Sequence, residues 1–369
     1  MDKAVRTLLE TDTMSRLKGM SQLGFTLYAF PSAKHTRFDH AIGVYYLTRL
    51  ILKRIIDSGA YLADSDVRGS LAAALLHNVA EDDDEGTPVR NLTPTEHLLR
   101  DLLTGSLDAN TLDCLVRDAS ETKVPYGMPD IETLIDTLRI VGQDNRAVLA
   151  VDEAGVGLLQ ALVFSRYLMY YNVYGHHALR VPTVMFLRAV QDAIQAEKVT
   201  SEELALQDDA GALALVLESA DPESSSAVLV KRLTEHQPYK RALELDERHP
   251  SYASLILLRN DASWRRRIEE AWARYLTRYR KGTAGPFDIL IDLPEREHFE
   301  VGLRLIRRSP LPGERNPVTW QSISGLSEED MTRYHAPLHR VRIATANDAL
   351  VTSVRRHADE LFTIAEEVG

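Results

Sequence analysis

The fold is constrained most strongly by a helical spacing of apolar residues through the first two hundred positions. Apolar side chains recur there at the intervals of one helix face, as in Tyr46, Leu47, Leu50 and Ile51. Residues 71–79 are almost wholly apolar, which predicts a helix buried inside a bundle, and a shorter helix is expected over 130–140. Because each apolar face must be buried against another, the pattern predicts a helical domain over residues 1–200.

The remainder of the chain has a different character. Residues 201–284 begin acidic and rich in alanine and leucine, which predicts a helical peripheral region. Residues 287–293 and 340–345 have the β-branched composition of strands, and a final helix is expected over about 347–366. The predicted fold is therefore mainly α, with a small α+β C-terminal region over residues 285–369.

Composition excludes several classes of protein. The formal net charge of −11 argues against a general nucleic-acid-binding surface, which needs a basic face, although a local basic pocket remains compatible with it. The single cysteine, Cys114, excludes an intrachain disulfide and a cysteine-rich zinc site. No apolar run is long enough to span a membrane, and the N-terminal residues are too charged for a signal peptide. These properties favour a protein of the reducing cytoplasm.

Two histidines stand on segments expected to be neighbouring helices. His40 lies near the start of an amphipathic helix, and His77 follows the apolar run and precedes Asn78. Helical bundles build metal sites from imidazoles that project inward from facing helices. The simpler alternative is a pair of hydrogen-bonded core histidines, which the spacing alone does not exclude.

The segments around these histidines resemble the HD-domain superfamily, in particular its branch of dNTP triphosphohydrolases. The resemblance is carried by HTRFDH at 35–40, by the doublet His77-Asn78 where the family has His-Asp, and by DANTLDCLVRD at 108–118. It implies that the four metal-ligand positions are His40, His77, Asn78 and Asn110. Both carboxylate ligands of the family are thus carboxamides here. We expect no cofactor at full occupancy or, if the protein is active, a divalent manganese, iron, magnesium or zinc ion.

The catalytic elements of the family are also altered. After the doublet the family continues with Gly-His and later Pro-Phe-Ser-His, whereas this chain has Ala80 and Glu81 and lacks the second element. His97 is a weak match to a further family histidine. If the protein is a hydrolase, Glu81 and His97 are the candidate proton-transfer residues, and Glu81, Asp82 or Asp108 is the candidate replacement ligand.

The positions that face nucleotide in the family match better. The resemblance assigns ligand binding to seven residues: Gln22, Leu23, Arg37, Asp118, Arg166, Tyr174 and His176. Arginines suit phosphate because the guanidinium group offers forked donors and is always charged. Two ordinary roles remain open, since Arg37 can pair with a nearby acid such as Asp39, and the tyrosines at helical spacing can be core residues.

Three functions remain open from the sequence. The first is a degenerate HD-domain protein that binds a nucleotide or another phosphorylated small molecule without efficient metal-dependent hydrolysis. The second is an active metal-dependent nucleotide phosphohydrolase, and the third is a non-catalytic structural or interaction subunit. The resemblance also implies a homo-oligomer.

Overall fold

A computed structural model describes residues 3–79, 93–143, 146–280, 284–294, 304–309, 317–325 and 328–368. The α-helices of these residues, in chain order, are α1 (Lys3–Leu9), α2 (Asp12–Arg16), α3 (Arg37–Asp57), α4 (Asp64–Leu76), α5 (Pro94–Thr104), α6 (Ala109–Thr122), α7 (Ile131–Asp136), α8 (Val156–Met169), α9 (His177–Gln195), α10 (Ser201–Ala205), α11 (Asp209–Ser219), α12 (Ser225–Thr234), α13 (Tyr252–Ile256), α14 (Ala262–Arg280), α15 (Gln321–Ser324), α16 (Glu328–His335), α17 (Asp348–Arg356) and α18 (Ala358–Val368). The strands are β1 (Leu138–Gln143), β2 (Arg146–Asp152), β3 (Lys240–Asp246), β4 (Ile289–Asp292), β5 (Arg304–Ile306), β6 (Val318–Thr319) and β7 (Arg340–Thr345).

These elements form two compact units, each built from segments that are distant in sequence. Unit 1 contains residues 1–23, 30–170 and 299–329, and unit 2 contains residues 24–29, 171–298 and 330–369. The mainly helical architecture predicted from the sequence is confirmed. The contiguous ranges 1–200, 201–284 and 285–369 stay a prediction about domain organisation.

Unit 1 has its core where α3 packs beside the N-terminal helices and α4. One apolar cluster of this core joins Val5, Met14, Leu17, Ala41 and Leu75. The buried face of α3 follows the predicted apolar spacing at Leu47 and Ile51, which are buried, but Tyr46 of the predicted face is 46% exposed. This packing holds the first turn of α3 and the end of α4 in one region of the unit.

Unit 1 also contains a sheet that the helical pattern did not predict. Its strand order is β1-β2-β5-β6, with β2 and β5 parallel and the other neighbours antiparallel. The helix expected over 130–140 was wrong at its end, because α7 stops at Asp136 and β1 begins at Leu138. Residues 138–143 have only a weak local preference for helix, and β1 pairs with β2 along its whole length. This pairing decides the structure of the segment.

Unit 2 is organised around the three-stranded antiparallel sheet β3-β7-β4. The predicted strand at residues 340–345 is confirmed as β7, and the strand expected over 287–293 is confirmed over the shorter β4. The peripheral region over 201–284 is not wholly helical, because it contributes β3 to an edge of this sheet. The final helix is divided at His357 into α17 and α18.

Apolar clusters cover both sides of the unit 2 sheet. One cluster includes Trp272, Ile291, Ile343 and Leu361, and another includes Met185, Leu229, Leu290 and Ala344. The alternation of Ile291 and Leu290, and of Ile343 and Ala344, between the clusters follows from the alternating direction of strand side chains. None of the described helices is both long and apolar enough to cross a membrane.

Candidate functional site

His40 is held in the first turn of α3 by a capping arrangement that is visible in the sequence. The Thr36 hydroxyl accepts a hydrogen bond from the Asp39 backbone N–H, and the Asp39 carboxylate accepts one from the Thr36 backbone N–H. Such reciprocal caps satisfy N–H groups that a helix start leaves without partners. His40 follows directly and is only 1% exposed. The cap therefore fixes where a buried imidazole enters the unit.

The partners of His40 come from one face of α6. Asp108 caps this helix through the Thr111 backbone N–H, and Asn110, Asp113, Cys114 and Arg117 follow at intervals of three and four residues. Residues at this spacing lie above one another on a helix surface. The face that carries them is therefore the face that α6 presents to His40.

Asp113 orients the His40 ring. Its Oδ2 lies 2.7 Å from His40 Nδ1, and its two oxygens accept hydrogen bonds from Arg117 Nε and Nη2, both at 2.8 Å. Burial opposes ionisation of Asp113, but the hydrogen bonds with His40 and Arg117 outweigh it and lower the pKa of the carboxyl group. The carboxylate is thus charged, and the Nδ1 of His40 carries the proton that points at it.

His77 faces His40 from the end of α4. Its Nδ1 lies 2.7 Å from the carbonyl oxygen of Ala74, so Nδ1–H is the donor and the lone pair is on Nε2. The Nε2 atoms of His77 and His40 are 3.2 Å apart, and Asn110 Oδ1 is 2.9 Å from His40 Nε2. We call these three residues the histidine–amide cluster. The lone pairs of His40 Nε2, His77 Nε2 and Asn110 Oδ1 converge in this cluster. A proton on one of the two Nε2 atoms, or a cation between the three atoms, would remove the repulsion between these lone pairs.

Asn78 follows His77 directly in the sequence and therefore lies next to the histidine–amide cluster. It is 9% exposed, and its Nδ2 has no hydrogen-bond partner among the described residues. Of the four positions assigned to a metal by the resemblance, the structure thus brings His77 and Asn110 into contact with His40. Asn78 contributes a buried amide beside His77 and no carboxylate.

The charge of the donor set decides whether it fits a divalent cation. The Asp113 carboxylate orients the His40 ring and the Ala74 carbonyl orients the His77 ring. Histidines that bind metals are usually oriented by hydrogen bonds of this kind. The donors, however, are two imidazoles and one amide, and Asp113 turns its charge toward Arg117 and the far side of the His40 ring. In the part of the chain that is described, no group of three histidine, cysteine or acidic residues could hold a metal ion. These residues do not fit a tightly held divalent cation, which needs anionic oxygen to offset its lost hydration.

Cys114 adds no negative charge to the cluster. Its Sγ lies 3.6 Å from His40 Nε2 and 3.7 Å from Gln22 Nε2. Burial raises the pKa of the thiol, and the nearby charges of Asp118 and Asp113 raise it further. The thiol is therefore protonated at neutral pH and serves as a weak, uncharged neighbour of the cluster.

Asp118 has a partner that the sequence analysis did not identify. Its Oδ1 lies 2.7 Å from His35 Nε2, and both side chains are buried. His35 is the first histidine of the HTRFDH segment, so the motif itself contained the signal. The carboxylate that the resemblance assigns to ligand binding is thus engaged within unit 1 by an imidazole.

The two arginines of the predicted ligand set also belong to unit 1. Arg37 is the first residue of α3 and is half-buried. Arg166, on α8, lies 5.8 Å from the centre of the Tyr170 ring. Burial raises the pKa of Asp108, and the charge of Arg166 is near enough to oppose part of this rise. Gln22 contacts Cys114, as described above, and Leu23 follows it in the chain. Arg166 and Gln22 therefore both approach the residues that surround the histidine–amide cluster.

The remaining predicted residues belong to other parts of the chain. Tyr174 and His176 belong to unit 2, where His176 caps α9 by accepting a hydrogen bond from the Ala178 backbone N–H. His97 lies in α5, and its buried Nδ1 has no partner among the described residues. Glu81, like Asp82, lies outside the described residues.

Two solved structures have a fold similar to that of almost the whole chain. Over 97% of its length the chain superimposes on 96% of a hypothetical protein from Aquifex aeolicus, with a TM-score of 0.68 and 20% identity. A phosphohydrolase from Bacteroides thetaiotaomicron matches 94% of this chain and 96% of its own, with a TM-score of 0.66 and 18% identity. At such identities the likeness concerns the fold.

Residues 130–307 match the family described as the HD associated region. The chain is 27% identical to YwfO of Bacillus subtilis over 233 residues, which cover 53% of each protein. It is 33% identical over 73 residues to deoxynucleoside triphosphate triphosphohydrolase SAMHD1 of Danio rerio, covering 19% of this chain and 12% of that protein. A 23% identical protein of Methanocaldococcus jannaschii, MJ1154, is matched over 66% of this chain and 57% of its own length, so the chain spans about half the length of the curated relatives it matches.

The chain is thus mainly helical, with His40 and His77 in contact, and its residues 130–307 are similar to the HD associated region.

Proposed function

We propose that the protein is a degenerate member of the HD superfamily, of the dNTP triphosphohydrolase-like branch, that binds a nucleotide or another phosphorylated small molecule without efficient metal-dependent hydrolysis. The observation that carries this proposal is the neutral donor set of the histidine–amide cluster. His40 Nε2, His77 Nε2 and Asn110 Oδ1 converge without a carboxylate among them. Asn78, at the fourth ligand position of the family, likewise has a carboxamide where the family has a carboxylate. We place the protein in the cytoplasm, where its lone cysteine would remain reduced.

Ligand binding is supported by the positive groups around the cluster. Arg166 approaches Asp108 at the start of α6, and Arg37 begins the helix that carries His40. Arginine recognises phosphate through forked, charge-assisted hydrogen bonds. In this proposal the two arginines and the Gln22 amide contact the anionic group of the ligand. The proposed role of Asp118 is to position His35.

The metal prediction is tested by elemental analysis of protein purified without chelator. We expect far less than one manganese, iron or zinc ion per chain. Asn78→Asp combined with Asn110→Asp should restore measurable metal affinity because it returns both charged ligands, yet hydrolysis of dNTPs should stay low because proton-transfer histidines are missing. Stoichiometric metal in the unaltered protein that is lost in His40→Ala would instead support an active phosphohydrolase.

Nucleotide binding is tested by thermal shift with a panel of dNTPs and NTPs. A ligand present at a hundred times its Kd should stabilise the protein by about 2.7 kcal/mol. We expect Arg37→Ala and Arg166→Ala to abolish this stabilisation. Arg49→Ala is the matched control, because Arg49 is exposed on the same helix as Arg37. If no nucleotide shifts the unfolding temperature, or if the Arg49 variant loses the shift equally, a structural subunit is the better reading.

A further inference from the structure

A cavity of about 200 Å³ lies in unit 1, and none of the residues of the histidine–amide cluster lines it. One part of its wall is the end of α5 and the turn that follows, with Asp101, Ser106 and Leu107. Residues 148–151 of β2 form another part, and Arg304 at the start of β5 belongs to the same lining. Because all of these residues belong to unit 1, the cavity is complete within one unit.

Packing and a tight turn fix the walls of this cavity. Leu107 is 7% exposed and Val151 is 1% exposed, so neither side chain has room to move aside. Gly105 allows the sharp turn after α5, because a Cβ at this position would collide with the Asp101 carbonyl oxygen. The turn leaves Ser106 exposed, and through it the cavity is open to solvent. The cavity is therefore a preformed site that a small solute can enter.

Arg304 brings a half-buried guanidinium group to the lining. The acid that follows the lining residues on β2, Asp152, is already engaged by two other arginines, since its oxygens lie 3.4 Å from Arg139 Nη2 and 3.0 Å from Arg308 Nη2. In the described part of unit 1, the ion pairs of this sheet do not include Arg304. A partly buried cation without a counter-ion is costly. An anionic group in the cavity would remove this cost.

Asp101 supplies the opposite charge to the same cavity. Its Oδ1 lies 3.6 Å from Arg100 Nη2, but these side chains are 36% and 49% exposed, so water screens the pair and its contribution is small. Among the described residues, no ion pair joins Asp101 to Arg304. The cavity thus carries one carboxylate and one guanidinium group that do not neutralise each other by direct contact.

The volume of the cavity limits the size of its ligand. A dry cavity of about 150 Å³ is large enough to hold benzene, whereas pockets for drug-sized molecules begin at about 300 Å³. A cavity of about 200 Å³ therefore fits a molecule slightly larger than benzene and excludes a nucleotide. Leu107 and Val148 add apolar side chains to the lining. Together these features suit a small molecule with one positive charge, one negative charge and a short apolar group.

We propose that this cavity binds a free α-amino acid with a short aliphatic side chain. Arg304 binds the carboxylate through its forked donors, Asp101 accepts hydrogen bonds from the ammonium group, and Leu107 and Val148 contact the aliphatic side chain. The two charges of the ligand cancel, as do those of the site, so its entry leaves no net charge buried. The site shares no residue with the proposed nucleotide pocket and is a separate binding function.

Isothermal titration of the full chain with L-valine tests the proposal. Isovalerate and isobutylamine are matched probes, because the first is valine without its ammonium group and the second is valine without its carboxylate. Valine should bind, and each probe should bind at least tenfold more weakly, because it leaves one charge of the cavity without a partner.

Two substitutions assign the charges to residues. Arg304→Gln should weaken valine binding at least tenfold because it removes the charged donors. Asp101→Asn should weaken valine binding but strengthen isovalerate binding, because it removes a negative charge that repels the anion. A merely structural role for Asp101 does not predict opposite changes. The matched control is Arg308→Gln, since Arg308 is 66% exposed, is paired with Asp152 and does not line the cavity.

Binding of valine that is weakened by Arg304→Gln and Asp101→Asn, and unchanged by Arg308→Gln, supports the site. Four results overturn it: no valine binding, equal binding of valine and either probe, equal loss in the Arg308 variant, or weaker binding of both valine and isovalerate after Asp101→Asn. Circular dichroism of each variant checks that the fold is kept. The thermal shift with nucleotides should be the same in Arg304→Gln as in the unaltered protein, so failure here leaves the test of nucleotide binding intact.

Discussion

Asp108 shows at the scale of one residue how a cap can conflict with burial. Its carboxylate caps α6 through the Thr111 N–H, yet burial raises its pKa to about 6, against partial opposition from that hydrogen bond and from Arg166. Because the folded pKa exceeds the unfolded value of 3.8, the folded state binds more protons between these values. The free energy of unfolding contributed by Asp108 therefore falls as pH rises from about 4 to 6.

Asp108→Asn is expected to stabilise the protein at pH 7.5, because asparagine caps as well as aspartate and carries no charge to desolvate. The gain is at most about 3 kcal/mol, and it should shrink as pH falls below 6 and vanish near pH 4. Urea unfolding at several pH values measures it. Asp130→Asn is the control, because Asp130 caps α7 while exposed and its pKa is lowered by the Thr133 backbone hydrogen bond. A gain in that variant, or a pH-independent gain in Asp108→Asn, would contradict the account.

Single residues also show what the sequence could and could not reveal about the site. His40, His77 and Asn110 were assigned from local motifs, and the structure brings them together. The pairing of His35 with Asp118 was not foreseen, because the two residues are 83 positions apart and neither motif names its partner. Local spacing identifies candidate groups, whereas packing between helices decides which atoms meet.

At the scale of elements, a glycine allows α6 to reach the start of α3. A Cβ added at Gly43 would lie 1.8 Å from Asp113 Oδ1 and 2.2 Å from Arg117 Nη2. Such contacts are far below van der Waals distance. Gly43 therefore makes room for the Asp113–Arg117 pair that orients His40.

Gly43→Ala is expected to lower the free energy of unfolding by about 1–3 kcal/mol, because the methyl group displaces the ion pair and this exceeds the better helix propensity of alanine. Denaturant unfolding measures the change. Gly69→Ala in α4 is the matched control, since no atom lies within 4 Å of its added Cβ, and it should instead stabilise by up to about 1 kcal/mol. Equal effects at both positions would show that the close approach is unimportant.

Elements also differed in how well the sequence predicted them. The amphipathic helix α3 and the strand β7 were foreseen, because each buries a face with a clear period. The strands β1 and β3 were missed because neither carries a strong alternation, and β3 in addition pairs with β7, which lies far along the chain. Strand formation depends on those partners more than on local composition.

At the scale of the whole molecule, each unit takes segments from distant parts of the chain. Residues 24–29 belong to unit 2, whereas residues 299–329 belong to unit 1. The spacing of apolar residues shows which face of one helix or strand is buried. It does not show which distant segments pack into the same unit. The overall helical class was therefore predictable, whereas this assignment of segments to units was not.

The last prediction concerns assembly. We expect the protein to form a dimer or larger symmetric oligomer, so light scattering at micromolar concentration should give a multiple of 41.4 kDa. Tyr171 is 38% exposed and its ring packs against Arg340. It belongs to the aromatic segment from Tyr167 to Tyr174, which we expect to contribute to the interface. Because aromatic anchors carry much of the binding energy of interfaces, Tyr171→Ala should lower the apparent mass on dilution. Tyr61→Ala, at a position 90% exposed and remote in sequence, should leave it unchanged. A 41.4 kDa particle for the unaltered protein at micromolar concentration would rule out stable self-association.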